Sequence, residues 1–366
     1  MNRNLKTFFN DKVFLVTTCL SILSIIFQKN VMALIDWDTV LTLFILLILV
    51  SIFKFYDILT DVSKVILNKT SGVKGIINVI FFSTFIGSMF FTNDAMILVM
   101  IPILKSISET IELDVIKISV LIAIFANLGS SVFPIGNPQN IYLMNKFHIN
   151  IFDFLKMSAP IFFFTIFIIL FITHNVEYKK VNFNQKVSWS IDKKKSFWLI
   201  CVTLATVIGV LLGVTKLPLL FFVVVFAFLL DKRIFLKIDY RVIIILINFL
   251  IIAQFVGQTK LIENLLDITL NSPFDIVNSS VVLSQFISNV PSAVIVSNFT
   301  PNYEAVYYGV TMGGLGTLVA SLANLLTYRQ FLSNKEESRR FLKIFSAYNF
   351  LLLGIGVIFC ALLFKL

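Results

Sequence analysis

Apolar runs long enough to cross a lipid bilayer recur along almost the whole chain, and the polar segments between them are short. A helical crossing needs about 20 consecutive apolar residues. On that criterion the sequence predicts nine spans, at 13–28, 38–54, 115–143, 154–174, 196–213, 216–231, 241–256, 305–328 and 341–363. Hydrophobic residues make up 58% of the chain and charged residues 14%, which excludes an ordinary soluble domain. Two further apolar segments, 76–104 and 273–299, carry polar interruptions, "FFTNDAM" and "FISNVPS". Each is too long for one simple span and too short for two. They are expected to be re-entrant helical hairpins, which lipid tolerates only when protein surrounds them.

Lysine and arginine collect on the cytoplasmic side of short loops. With the N-terminus cytoplasmic and the C-terminus outside, 24 of the 30 Lys and Arg residues fall in inside segments. The net charge of +10 follows from that sidedness, so it gives no reason to expect nucleic acid as a partner. The expected location is the cell (plasma) membrane, as a multi-pass protein. The first apolar run, 13–27, is not followed by a small-residue cleavage site and is expected to stay as a span. Cys19, Cys201 and Cys360 lie in apolar spans without CxxC or histidine spacing, as packing residues would. His148 and His174 sit at span ends, where an interfacial place is expected. There is no GxxxxGK[ST] loop, so any transport must be driven by a gradient or by another subunit. No cofactor is expected beyond a coupling ion, Na+ or H+.

The order of segments repeats. Residues 1–174 read as two spans, a surface helix near 56–70, a hairpin, a broken span and a final span. Residues 216–366 read the same way, with the surface helix near 258–270. Between them, 175–215 supplies a cytoplasmic loop and the single span 196–213, and an odd linking span inverts the second half relative to the first. The expected fold is therefore an all-α membrane protein: an inverted repeat of about nine spans, two re-entrant hairpins and two broken helices.

The breaks carry the chemistry. "NLGSSVFPIGNPQN", Asn127 to Asn140, aligns with "TMGGLGTLVASLAN", Thr311 to Asn324. The alignment sets Gly129 over Gly313, Ser130 over Gly314, Gly136 over Ala320, Asn137 over Ser321 and Asn140 over Asn324. The hairpin tips align as well, Thr92-Asn93-Asp94 over Ser288-Asn289-Val290. Glycine and proline destabilise a helix interior. Unwinding a helix at the bilayer midplane has a use, however: it frees amides that attract anions and carbonyls that coordinate cations. The candidate substrate- and ion-binding residues of the first half are Thr92, Asn93, Asp94, Asn127, Gly129, Ser130, Ser131, Pro134, Gly136, Asn137, Pro138 and Asn140. Those of the second are Ser288, Asn289, Pro291, Gly313, Gly314, Gly316, Thr317, Ser321 and Asn324.

Within these sets Asp94 is the one charged side chain placed well inside the apolar segments, and intramembrane carboxylates are expensive and usually functional. Its plainer role would be to cap a half-helix. Asn93 and Asn289 could likewise cap, or could hold Na+, which is expected near them. Close helix packing is the plainer role of the glycines. With no Lys or Arg in the predicted core, an anion would be held by amides, by hydroxyls and by bound cations.

"FTNDAMILVMIPI", "NLGSSVFPIGNPQNI", "ISNVPSAV" and "GGLGTLVASLANL", in that order, resemble the paired motifs of the ion transporter superfamily. That group includes citrate and dicarboxylate permeases, arsenite efflux permeases and a class of bacterial sodium/proton antiporters. The resemblance spans roughly 38–363. It implies a scaffold region and a moving transport region, in a homodimer that works by an elevator-like shift. In the dicarboxylate branch both tips typically read Ser-Asn-Thr, so only Asn93 and Asn289 carry over cleanly. The "NDA" and "NVP" forms look more like the arsenite and sodium/proton branch, whose antiporters usually place an Asp where Ser288 stands. The expected function is a secondary transporter for a small anion or oxyanion (di/tricarboxylate-like or arsenite-like), coupled to Na+ or H+. The nearest alternative is a sodium/proton antiporter using Asp94. A channel is disfavoured by hairpins entering from opposite sides, and a membrane enzyme by the lack of a nucleophile–base pair or metal cluster.

The predicted topology has a direct test. Single cysteines at Lys193 and Asn334 should react with an impermeant reagent only from the cytoplasm, and one at Asn302 only from outside. Labelling of all three from one side contradicts the inverted repeat.

Overall fold

Only a helix satisfies every backbone group of a single segment in lipid, and the apolar runs of this chain become helices accordingly. The computed structural model describes residues 12–27, 35–70, 72–176, 191–257, 259–260, 270–332 and 334–365, and among them the regular structure is helical. In chain order the helices are α1 (Lys12–Phe27), α2 (Trp37–Phe55), α3 (Ile58–Leu67), α4 (Gly72–Phe91), α5 (Asn93–Ser108), α6 (Val115–Val132), α7 (Pro138–Phe147) and α8 (Ile151–His174). They continue with α9 (Lys193–Leu211), α10 (Lys216–Leu230), a 3-10 turn (Lys232–Lys237) and α11 (Tyr240–Gly257). After these come α12 (Pro273–Ile287), α13 (Asn289–Val296), α14 (Tyr303–Gly313), α15 (Leu322–Arg329) and α16 (Lys335–Leu363).

Among the described residues six helices, α2, α4, α6, α8, α9 and α16, are long and apolar enough to cross a membrane, while α1, α10 and α11 are shorter apolar helices. The expected span 115–143 is α6 and α7 with an irregular stretch between them, and 305–328 is α14 and α15 separated in the same way. Each predicted hairpin is a pair of helices meeting at one residue, α4 and α5 at Thr92 and α12 and α13 at Ser288, and the two arms of each pack together. The first arm, α4, starts at Gly72 and reaches 20 residues, longer than the hairpin reading allowed. The surface helix expected near 56–70 is α3, which buries Leu59, Asp61, Ser63 and Leu67 on one face. Its expected counterpart near 258–270 falls largely outside the described residues.

Helix starts follow local side-chain chemistry. The Asp36 carboxylate accepts from the Thr39 amide, Asp114 accepts from Lys117, and Asn150 accepts from Asp153. Ser272 and Asp275 form a reciprocal capping box at α12.

Packing separates two apolar clusters. The larger joins α4 to α8 with α11 to α16 and reaches α2 through Val40 and Leu43, with rings such as Phe81 and Phe125 4.9 Å apart. The smaller joins α2, α9, α10 and the 3-10 turn around Ile45, Ile48, Ile52, Val223 and Ala227. α1 lies along α11, where Asn248 Nδ2 donates to Thr18 Oγ1 at 3.0 Å. Phe163, Phe167, Phe171, Phe221 and Phe228 remain exposed, as suits faces whose solvent is hydrocarbon.

Close backbone approach explains two of the glycines. A Cβ at Gly129 would run into the Phe85 carbonyl of α4, and one at Gly136 into the Ser130 carbonyl across the break. Gly129→Ala and Gly136→Ala should each lower thermal stability of the purified protein by about 1–3 kcal/mol, the usual range for overpacking. Gly354→Ala, in the interior of α16 where nothing lies within 4 Å of the added carbon, should instead raise it by about 0.5–1 kcal/mol, the usual gain over glycine in a helix. Equal melting temperatures for all three variants would contradict this account of the packing.

Candidate functional site

A broken helix exposes carbonyls that must find donors, and asparagines supply them. In the first break Asn140 Nδ2 donates to the carbonyls of Ser130 (3.2 Å), Ser131 (3.0 Å) and Phe133 (2.9 Å). In the second, Asn324 Nδ2 donates to those of Gly314 (3.1 Å) and Thr317 (3.0 Å). These acceptors are aligned positions, so the two breaks are held by the same bonds. Past each break the next helix is capped by the residue just before it: Asn137 accepts from the Asn140 amide and Ser321 from the Ala323 amide.

Asn127 ties the halves together. Its Oδ1 accepts from Asn93 Nδ2 at 2.9 Å and from Ser321 Oγ at 2.8 Å, and its Nδ2 donates to Asn324 Oδ1 at 2.9 Å. One buried amide thus joins the first hairpin tip, the first break and the second break. Tyr307 adds a further link, donating to the Ser131 carbonyl at 3.0 Å. On the second tip the Asn289 amide donates to the Ala320 carbonyl at 3.0 Å.

Both tips are strained, and in the same way. Thr92 has φ 73° and ψ 152°, and Ser288 has φ 79° and ψ 157°. Glycine alone adopts that region freely, and other residues forgo about 1–3 kcal/mol each to stay there.

A cavity of about 80 Å³ opens where tips and breaks meet. It is lined by Asn93, Asp94, Asn137, Pro138, Gln139, Ser288, Asn289, Val290, Ser321 and Leu322, with Val242, Ile245, Leu246 and Phe249 of α11 as an apolar wall. Among the described residues the Asp94 Oδ1 is buried and has no hydrogen-bond partner. Capping of α5 falls to Thr92, whose Oγ1 accepts from the Ala95 amide at 3.4 Å, and Asp94 is left facing the cavity. Two full charges act on it, Lys54 in the last turn of α2 and Asp239 just before α11. Asp239 is itself paired with Arg241 at 2.6 Å.

Of the residues singled out from sequence, Asn93, Asp94, Asn137, Pro138, Ser288, Asn289 and Ser321 come together on this cavity. Asn127, Asn140 and Asn324 stand behind it, holding the breaks. The Ser130 and Ser131 hydroxyls donate to the Asn127 carbonyl, and Thr317 Oγ1 donates to the Gln285 carbonyl, so these three point into the framework. Gly129, Gly136, Gly313 and Gly314 serve close approach, Gly316 takes φ 99°, and Pro134 and Pro291 line neighbouring apolar pockets. Sequence reasoning missed Gln139, the α11 wall, Lys54 and Gln285. Only Gln139 carried a signal, sitting inside the quoted motif.

A multi-pass helical frame in which two broken helices and two hairpin tips surround a small cavity is consistent with a membrane transporter. The chain belongs to the CitMHS family, described as citrate transporter, whose model matches residues 10–304. It is 32% identical, over 85% of both chains, to a protein of Methanocaldococcus jannaschii named as an uncharacterized transporter. It is 26% identical to the inner membrane protein YbiR of Escherichia coli, over 82% of each chain. A putative transporter, arsB, of Dictyostelium discoideum is 29% identical over 44% of this chain and 30% of its own length.

The strained tips generate a prediction. Thr92→Gly and Ser288→Gly should each raise thermal stability by about 1–3 kcal/mol by removing strain. Both should slow substrate turnover, because the tips lose their fixed geometry. A fall in melting temperature for both would show that the tips are not strained.

Proposed function

We propose that this transporter is a secondary carrier for a small anion or oxyanion, coupled to Na+ or H+, working by elevator-type alternating access. The observation that carries the reading is the convergence of four helix N-termini on one cavity. They belong to α5 at Asn93, α7 at Pro138, α13 at Asn289 and α15 at Leu322. Each N-terminus is equivalent to about half a positive charge. Together they favour an anion where no Lys or Arg lines the wall.

Asp94 supplies the coupling. Ionised, it repels a bound anion. With Na+ or a proton on it, the repulsion is gone, so cation and anion raise each other's affinity by the same factor. The cavity is far smaller than the ~300–1,000 Å³ of pockets that hold drug-sized ligands, which favours the oxyanion end of the range. A tricarboxylate would require the tips to part. A sodium/proton antiporter remains the second reading, favoured by the same small volume and by the unpartnered Asp94 oxygen.

The moving part in this scheme is α4 to α8 with α12 to α16, hairpins included, and α1, α2, α9, α10 and α11 form the scaffold. The division into repeats at 1–174 and 216–366, inverted about 175–215, is supported by the shared tip torsions and the shared Asn140 and Asn324 bonds. The carrier would be a homodimer in the plasma membrane, with a cytoplasmic N-terminus.

Proteoliposomes tested with citrate, succinate, sulfate and arsenite under separate Na+ and H+ gradients should show coupled uptake of one anion class. Counterflow should also occur, which a channel cannot support. Asp94→Asn should abolish the dependence on the cation gradient while anion exchange survives. Na+/H+ exchange in the parent with no anion transport would overturn the assignment in favour of the antiporter. Unchanged cation dependence in the variant would remove Asp94 from the mechanism.

A further inference from the structure

The two breaks share their asparagines, but the hairpin arms packed against them differ at one telling position. Three residues before the second tip stands Gln285, and three before the first stands Met89, an apolar thioether that is 6% exposed. The Gln285 Nε2 donates to the carbonyls of Gly313 (3.0 Å), Leu315 (3.1 Å) and Val281 (3.2 Å). Its Oε1 accepts from the Thr317 amide at 2.8 Å, and its own carbonyl accepts from Thr317 Oγ1 at 2.9 Å. Gly316 is required beside it, since φ is 99° there and a Cβ would strike the Gln285 amide oxygen.

Three carbonyls converging on one point from an unwound helix and its neighbour form the arrangement that elsewhere holds a cation. Here the partly positive NH2 group of a side chain occupies that point. We infer that the Gln285 amide takes the place of a bound cation at the second break, so that only the first half of the carrier holds a coupling ion. The inference rests on the carrier reading above and narrows its ion stoichiometry. The two halves then divide the electrostatic work. The first presents a carboxylate, Asp94, that needs a cation. The second presents Val290 at the aligned position and a permanent amide donor behind it. The expectation of Na+ near Asn289 gives way to one ion site, on the Asp94 side.

Binding of 22Na+ to the purified full-length protein in detergent tests this without relying on transport. The parent should bind at most one Na+ per chain, and Asp94→Asn should bind none. Gln285→Ala, which empties the carbonyl cluster, should bind one more Na+ per chain than the parent. Two bound Na+ in the parent, or no gain in a folded Gln285→Ala, would overturn the proposal. Should the alanine variant fail to fold, Gln285→Lys decides, because its ammonium can serve the same carbonyls. A folded lysine variant with the parent's Na+ count supports cation replacement, and loss of folding in both variants overturns it. Failure of the carrier reading would show separately, as absence of anion uptake in proteoliposomes, and would leave the Na+ counts interpretable.

Discussion

A helix interrupted inside a bilayer leaves amides and carbonyls that no water can serve, and the structure depends on how those groups are satisfied. Asn127 is the hub of the solution. Its single amide bonds to the first tip at Asn93 and to the second break at Ser321 and Asn324, so neither break can relax without disturbing the other. Such interhelical bonds contribute about 0.6–2 kcal/mol each in a membrane. With Asn140 and Asn324 serving the carbonyls, the first residues of α5, α7, α13 and α15 line the cavity, and the proposed anion site would follow from a problem of backbone satisfaction.

In the proposed carrier the same bonds would let the site move as a rigid unit. Tips, breaks and the Asn127 network are tied to one another by hydrogen bonds between the two halves. The α11 wall contributes the apolar Val242, Ile245, Leu246 and Phe249, over which the proposed moving part would slide without breaking hydrogen bonds. Strain at Thr92 and Ser288 is sustained because the tips are held from both sides, Thr92 by the Asn93–Asn127 bond next to it and Ser288 by the Asn289–Ala320 bond. Lys54 sits on α2, in the proposed scaffold, so its field on Asp94 would change in the proposed shift.

Much of this was legible in the residues. Apolar runs gave the helices, and glycine, proline and asparagine at fixed offsets gave the breaks and the pairing of Asn140 with Asn324. Side-chain direction was less legible. Ser130, Ser131 and Thr317 have the hydroxyls of a binding site, yet their bonds run to the Asn127 and Gln285 carbonyls. Gln285 lies in an apolar helical arm, and because its aligned partner is Met89 the repeat pattern hid it. The α11 wall is apolar and carries no chemical mark, and Lys54 stood at a span end where basic residues are ordinary. Helix ends also escaped the pattern, since α4 extends to Gly72 through residues whose hydropathy alone marked a loop.

The central claim is that four helix N-termini bind an anion whose charge competes with Asp94. Thermal unfolding of the purified protein, titrated with sulfate, arsenate, succinate and citrate at fixed pH with and without Na+, tests it most directly. The account predicts that at least one anion raises the melting temperature, and does so only when Na+ is present or the pH is low enough to protonate Asp94. A melting temperature that responds to Na+ or protons alone, and to none of the anions under any condition, would contradict it.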